Sequence, residues 1–363
     1  MKCTLPRSPL EEAVRLCVAV ADRKSTMPIL ANVLLRTERS GRVTCAATDL
    51  NVALTAETAA EVEQVGSITV GAKLFHDIVK QLPTEKISVE MADQQSLRLR
   101  SGRIDYTIKG LSARTFPKLP DLDGVHFFRE GAGMLCHMIN SVIFSISSDI
   151  TRPHIGGAFL EAQDDRWRVT STDGRRLSRF ICRMSPCFPP ILIPHKGLIE
   201  IRRFIDGADL VDIACNEQYI YVRIDTMVLS VKLLAEQFPP VDAIIAQEQA
   251  HMLTVERQVL LHALKRISIM SSDKTYGVKL SVEPNLLRVQ SDNPDIGQSR
   301  EELDVDYAGP ALTVGVNAQY LIDPLSTMGC AKVRLTLLSE IDPIVLSPST
   351  SEDYLAVIMP MRI

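Results

Sequence analysis

Long runs of any one kind are missing from this sequence. No low-complexity segment interrupts its 363 residues, so little of the chain is expected to be disordered. No C-x-x-C pair occurs among the eight scattered cysteines, Cys3, Cys17, Cys45, Cys136, Cys182, Cys187, Cys215 and Cys330. In a chain of this size that pattern reads as free thiols in a reducing compartment rather than a disulfide framework. No excess of positive charge is present. The formal charge is −4, so any surface for nucleic acid must be local rather than global. No signal-peptide pattern opens the chain, because Glu11, Glu12 and Arg15 interrupt the early apolar run. The uncharged stretch 131–148 touches the length of a membrane span, but His137, Asn140 and four serines mark it as a buried helix. A cytoplasmic protein is expected.

Catalytic signatures are missing as well. G-x-S-x-G, H-E-x-x-H, G-x-x-x-x-G-K-[ST] and G-x-G-x-x-G are all absent. The seven histidines are dispersed without metal-ligand spacing. Asp121/Asp123 and Asp304/Asp306 are short acidic pairs that read as turn or surface residues. A nuclease or hydrolase would need clustered carboxylates. The expectation is therefore no catalytic residue, no metal and no cofactor.

What the chain does have is repetition. Residues 68–82, ITVGAKLFHDIVKQL, run from a short apolar strand through a Gly-Ala turn into a helical pattern. Leu74, Phe75, Ile78, Val79 and Leu82 are assigned to its apolar face. The same pattern returns 123 residues on at 191–205 (ILIPHKGLIEIRRFI) and a further 121 residues on at 312–326 (LTVGVNAQYLIDPLS). Each third also begins with an apolar-periodic helix, at 10–21, 134–146 and 259–270, with Leu10, Leu135 and Leu260 spaced 125 apart. A strand and tight turn follow, at 43–49, 167–174 and 286–293, where Asp, Asn and Gly suit the turn conformations. Alternating strands close each third at 87–110, 211–234 and 333–361.

Each third thus reads helix, hairpin, helix, hairpin. This predicts an α+β chain of three like domains, each a sheet packed on two helices, at 1–124, 125–249 and 250–363. Hydrophobic residues at 46% and charged residues at 23% are globular values, and three domains of roughly 120 residues match ordinary domain size. The junctions 116–124 (FPKLPDLDG) and 238–249 read as exposed linkers.

The order and spacing of several motifs resemble the bacterial sliding clamp family, the beta subunit of DNA polymerase III, over essentially the whole length. They are KSTMPILANVLL at 24–35, Thr48-Asp49-Leu50, residues 70–82, TDGRRL at 172–177, residues 193–205, Phe238-Pro239, Asn293-Pro294 and the terminal YLAVIMPMRI at 354–363. The resemblance implies a DNA polymerase processivity factor with three clamp-fold domains. A head-to-tail homodimer would close into a six-domain ring around duplex DNA. The six helical segments carry a small net positive charge while the chain as a whole is −4, which suits a lining that holds DNA without gripping it.

By the same resemblance, Lys24, Lys73, Arg152 and Lys196 face DNA phosphates without base specificity. Lys73 and Lys80, a heptad apart, present the first repeat's polar face. Lys196 and Arg203 do so in the second, with Asn317 and Pro324 taken as the counterparts in the third. Pro324 should kink or shorten its helix. The resemblance also implies a groove for short Gln- and Leu/Phe-containing peptides. Its residues would be Ile155, Thr172, Gly174, Arg175, Arg176, Leu177, Pro239, Ile244, Ile341, Pro343, Val357, Ile358, Met359, Pro360, Met361 and Arg362, with Arg176 and Arg362 orienting the peptide's polar atoms. Pro360 within the terminal strand suggests an edge strand bordering an accessible groove.

The implied partners are the replicative polymerase alpha subunit, the clamp-loader delta subunit, and other polymerases and repair proteins, with no membrane contact. Ring closure would join the edge strands 103–109 (RIDYTIK) and 298–304 (QSREELD), involving Arg103, Tyr106, Ile269, Met270, Glu301 and Glu302. Arg175 stands where the family often has histidine and Pro343 where it often has a small polar residue. Residues 148–154 lack some polar and aromatic groups that relatives use near DNA. These departures admit a specialised second clamp. A three-domain scaffold that binds peptides but not DNA is the alternative of another class.

Overall fold

The computed structural model describes every residue except 94, 164–165, 185–187, 246–250, 272–275 and 363. Cys187, Ile363 and the end of the 238–249 junction therefore lie outside the described residues. The first third runs β1 (Lys2–Pro6), α1 (Arg7–Val20), β2 (Asn32–Glu38), β3 (Arg42–Thr48), β4 (Val52–Ala59), β5 (Glu61–Gln64) and β6 (Gly66–Gly71). It continues with α2 (Ala72–Gln81), β7 (Lys86–Asp93), β8 (Ser96–Ser101) and β9 (Ile104–Leu111). The second holds β10 (Phe128–Gly131), α3 (Ala132–Val142), β11 (Gly157–Gln163), β12 (Arg166–Thr172), β13 (Arg176–Arg183) and β14 (Ile191–Pro194). After these come α4 (His195–Phe204), β15 (Leu210–Cys215), β16 (Tyr219–Ile224) and β17 (Met227–Lys232).

A short α5 (Asp242–Ile245) leads into the last third. There follow β18 (His251–Glu256), α6 (Arg257–Ser268), β19 (Gly277–Glu283), β20 (Leu286–Asn293), β21 (Gly297–Asp304) and β22 (Leu312–Asn317). The chain ends in α7 (Ala318–Thr327), β23 (Lys332–Leu337), β24 (Ile344–Pro348) and β25 (Tyr354–Ile358). The helix-hairpin-helix-hairpin reading is thus incomplete. A strand precedes the first helix of each third, and four strands rather than one hairpin separate the two helices, with β5 an addition in the first. Strands such as β2 are buried on both faces along Asn32–Leu35, so they lack the alternation by which a half-exposed strand is recognised.

The spacing of the second helices is more regular than the motifs imply. Helices α2, α4 and α7 begin at Ala72, His195 and Ala318, each 123 residues after the last. The third copy of the repeat therefore slides by two residues relative to the sequence alignment. Gln319 and Ser326, not Asn317 and Pro324, occupy the places of Lys73 and Lys80. Asn317 is instead the N-cap of α7, its side chain accepting from the Gln319 amide. Pro324 falls at the place of Ile78 and Ile201, two buried positions, and is itself buried. It does not shorten the helix: α7 has ten residues, as do α2 and α4. In α2 the buried stripe is Ala72, Phe75, Ile78 and Val79, while Leu74 points outward at 55% exposure. The helix expected over 134–146 ends at Val142 and passes into a 3₁₀ turn, Ile143–Ser145.

The chain forms two compact units, residues 1–133 with 196–233 and residues 134–195 with 234–363. The first holds a 13-stranded sheet, β10-β15-β16-β17-β4-β3-β2-β6-β9-β8-β7-β1-β5. The second holds an eight-stranded sheet, β14-β11-β12-β13-β25-β24-β23-β18, and a four-stranded sheet, β21-β20-β19-β22. Each unit joins neighbouring repeats by one strand pair. In the first unit β4 pairs with β17, Val52 to Ala56 against Val231 to Met227. In the second, β13 pairs with β25, Arg176 to Phe180 against Ile358 to Tyr354.

The fourth core strand of one repeat therefore pairs with the last strand of the next. Two strands of these classes remain. Among the described residues β21 is bonded only to β20. Strand β9 meets β6 only at Gly110 and Leu111, leaving Ile104–Lys109 with β8 alone.

Candidate functional site

The groove grows out of the β12–β13 turn in the second unit. Asp173 Oδ1 accepts the amides of Arg175 at 2.8 Å and Arg176 at 3.0 Å, a side-chain turn that aspartate makes readily. Asp49 does the same between β3 and β4, with the Asn51 and Val52 amides at 2.9 and 2.6 Å. In the third repeat Asn293 accepts from the Asp295 amide at 3.1 Å. Asp49, Asp173 and Asn293 thus play the same part in the three repeats. At the tip Gly174 has φ +88°, and an added Cβ would lie 3.0 Å from the Arg152 guanidinium. Leu50 holds a similar left-handed φ of +79° without being glycine.

Beneath the turn lies an apolar floor of Ile155, Leu177, Leu192, Phe238, Val241 and Val357, all buried. Phe238 stacks face to face on Phe159 at 5.2 Å. The 238–249 junction is thus not simply an exposed linker: Phe238 and Val241 are core, and Arg179 anchors α5 through Asp242 at 2.8 Å. Burying such side chains supplies roughly 1.5–3 kcal/mol each, enough to hold a Pro-containing segment down.

A cavity of about 210 Å³ opens over this floor. It brings together Ile155, Thr172, Gly174, Arg175, Arg176, Leu177, Pro239, Ile244, Val357 and Met359. Ile244 and Met359, 46% and 40% exposed, form an apolar rim. His154, Pro240 and Val241 also line it; the sequence offered only their adjacency to assigned residues as a signal. Arg152, assigned to DNA by resemblance, lines this cavity too and donates to the Asp173 carbonyl at 3.4 Å.

Other assigned residues stand elsewhere. Ile358 is fully buried between β13 and β24, so it is core. Ile341 (83% exposed) and Pro343 lie in the β23–β24 turn. Pro360, Met361 and Arg362 follow β25, and the Met361 amide donates to the Gly315 carbonyl at 2.8 Å. None of these six lines the cavity. The edge-strand reading of Pro360 is corrected as well. Strand β25 ends at Ile358 and is flanked on both sides, so Pro360 sits past the ladder, where no N–H is required.

Arg176 lines the cavity, but its guanidinium is committed inward. It donates to Asp173 at 3.0 Å, to Asp323 on α7 at 2.5 Å and to the Phe144 carbonyl, and it lies 4.5 Å from the Tyr320 ring centroid. The side chain is 13% exposed. This places it as a brace between the β12–β13 turn and α7 rather than as a free donor for a ligand. The missed partners are Asp173 and Asp323, and nothing local in the sequence links residues 147 positions apart.

In the first unit, Lys24 is exposed just beyond α1, and among the described residues its ammonium has no partner. Lys73 donates to Asp77 one turn on, at 2.9 Å. The ammonium holds the Asp77 carboxyl below its usual range. Lys196 pairs with Asp49, whose side chain is buried while the lysine stays 58% exposed. Two of these three cations therefore carry a local counter-charge.

Arg103 is exposed in the β8–β9 turn, and Tyr106 and Ile269 are 40% and 74% exposed. Met270 follows α6 in the second unit. Glu301 accepts from Arg266 at 3.0 Å, and Glu302 accepts from Arg288 at 3.0 Å and from Arg300. Among the described residues, no group of three or more His, Cys, Asp or Glu is placed to hold a metal ion. Among the described residues, no helix is long and apolar enough to cross a membrane.

Comparison with known proteins matches the chain to three consecutive families. They are the DNA polymerase III beta subunit N-terminal domain over 1–120, its central domain over 132–240 and its C-terminal domain over 242–362. The beta sliding clamp of Pseudomonas putida is 30% identical with both chains covered in full, and that of Escherichia coli (strain K12) 29% with the same coverage. The crystal structure of DNA polymerase III subunit beta from Pseudomonas aeruginosa superposes with a TM-score of 0.94 at 28% identity. Caulobacter crescentus pol III beta does so with the same values, and coverage is complete in each case. Sequence, fold and family agree along the entire length, and the chain belongs to the DNA polymerase III beta-subunit family of sliding clamps, non-catalytic processivity subunits of mixed α+β fold.

Proposed function

We infer that two copies of this chain close head to tail into a ring of six domains that encircles duplex DNA, with domains at 1–124, 125–249 and 250–363. The pairing rule of the repeats carries this reading. Strand β4 takes β17 and β13 takes β25, so β21 of one copy is left to take β9 of a second. Such a contact is heterologous and must close to avoid a filament. Unpaired edges are otherwise a liability.

The repeats also supply a register. The shared turns align Ala53, Leu177 and Gln298, and the two-residue turns closed by Ser101↔Ile104 and Ile224↔Met227 align Ile104 with Met227. Residues 104–108 then lie antiparallel to 301–297. Arg103 falls opposite Glu302 and Asp105 opposite Arg300, complementary in sign at both places. Ile269 and Met270 beside Tyr106 supply the apolar centre.

Lys24, Lys73, Lys196 and Arg152 contact phosphate without reading sequence. Each lost contact lowers the slope of log affinity against log salt by about 0.9. The cavity over Ile155, Leu177 and Val357 takes the apolar side chains of short peptide segments. The polymerase alpha subunit, the clamp-loader delta subunit, and other polymerases and repair proteins compete for it in the cytoplasm. The supporting features are an apolar floor, an adaptable Met359 on the rim and Arg175 beside an Arg176 that turns inward.

The decisive experiment pairs Thr107→Cys with Gln298→Cys in one chain. Oxidation should yield a covalently closed dimer that stays on circular DNA and slides from linear DNA. Monomer only, or cross-linking from a Thr107→Cys/Glu301→Cys pair instead, would refute the register. Equal retention on both DNAs would refute the ring.

A further inference from the structure

The β13–β25 pair that ends in the groove has a second cavity at its other end. The groove takes Leu177 and Val357; the far end, at Phe180 and Tyr354, opens into about 590 Å³ walled by the face of α3 and the end of α7. This is larger than the groove and within the size of ordinary small-ligand sites. Its apolar wall includes Met134, which is 43% exposed, Met328, and Phe180, whose ring meets His137 edge-on at 5.0 Å.

Two like charges face each other across the strands that wall this cavity. Arg166 and Arg183 both line it and lie directly opposite each other on β12 and β13. Like charges in that relation destabilise a strand pair. Several other strand arginines have a carboxylate partner: Arg168 to Glu161 at 2.6 Å, Arg179 to Asp242 at 2.8 Å, Arg223 to Asp212 at 3.0 Å. Among the described residues neither the Arg166 nor the Arg183 side chain has a hydrogen bond or an ion pair, and both residues are exposed. Asp353 is the acid on the lining, and its carboxylate accepts from the Ser351 hydroxyl at 2.9 Å. Two unmatched guanidiniums beside an apolar wall call for a ligand with an anionic head and an apolar body.

We propose that this cavity is a second binding site, distinct from the peptide groove, for a carboxylate attached to an aromatic or aliphatic group. Arg166 and Arg183 clasp the carboxylate, which planar guanidinium groups meet with paired hydrogen bonds. Met134, Phe180 and Met328 cover the apolar body. The carboxylate comes either from a free organic acid or from the end of a peptide.

Calorimetry and ligand-observed NMR on the full chain test this with N-acetylphenylalanine and its amide, which differ only in the charge. The carboxylate should bind at least tenfold more tightly than the amide. Arg166→Gln and Arg183→Gln should each weaken it about tenfold with no fall in melting temperature, since each relieves the like-charge pair, and Arg183→Lys should recover part of the loss. A groove variant, Met359→Ala, should leave it unaltered. A Glu-Glu-Phe peptide binding more tightly than the amino acid assigns a peptide terminus, and weaker binding assigns a free acid. Equal affinity for acid and amide, or indifference to both arginine variants, would overturn the proposal.

Discussion

Replacing Arg176 with alanine separates two accounts of the groove. If the guanidinium braces the fold, its removal strands Asp323 and Asp173, whose side chains are only 21% and 20% exposed, and leaves the Phe144 carbonyl without its donor. Removing one partner of a fully buried ion pair costs about 3–5 kcal/mol. Partial exposure of all three groups scales this down to roughly 2–4 kcal/mol. Urea unfolding followed by fluorescence should show a loss of that size. Pairing Arg176→Ala with Asp323→Ala should cost less than the two single changes added together, because they share one interaction. Arg176→Lys should recover less than half, since an ammonium can neither fork to two carboxylates nor stack flat on Tyr320. A loss under about 0.5 kcal/mol, together with a tenfold fall in affinity for a groove peptide, would refute the reasoning and make Arg176 a ligand-binding arginine.

Three other outcomes are expected. Burial raises the thiols of Cys17 and Cys45, the latter to about 12, so neither should react with a disulfide reagent at pH 8 in the native chain, and both should react once it is unfolded. Hydrogen bonds from Arg129, then Arg223, hold the Asp212 carboxyl below its usual range. That stabilisation is complete above the ordinary carboxylate pKa and is lost as pH falls through the lower folded value. Asp212→Asn should therefore destabilise the chain at neutral pH and flatten the acid limb of its unfolding curve, and a parallel acid limb would contradict this. Leu50→Gly should stabilise by up to about 1 kcal/mol by relieving the left-handed backbone, read as a rise in the urea midpoint; a fall would mean that Leu50 earns its strain through a contact.

The fold was largely legible because its signals are local. Helix starts, Asx turns and apolar stripes depend on residues within a turn or two of each other, so the repeat could be found from spacing alone. The two-residue offset at α7 lies where Pro324, a residue that reads as a helix breaker, occupies a buried position of the helix. The groove was legible only in part. Thr172, Gly174 and Leu177 come from one contiguous turn, Val357 lies on the strand paired to it, and Met359 follows that strand's end. Ile358, Met361 and Arg362 were implied by the family resemblance, yet alternate residues of a strand face opposite ways, and past Met359 no residue lines the cavity.

The sequence by itself determined that three like units follow one another, that each sets two helices against strands, and which family they belong to. Local periodicity and the order of short motifs suffice for that. Only the tertiary structure decided that β4 takes β17 and β13 takes β25, that Arg176 is drawn to Asp323, and that Arg166 is left facing Arg183 unmatched. Those outcomes rest on contacts between residues far apart in the chain, whose strand register and charge partners are chosen when the sheets assemble.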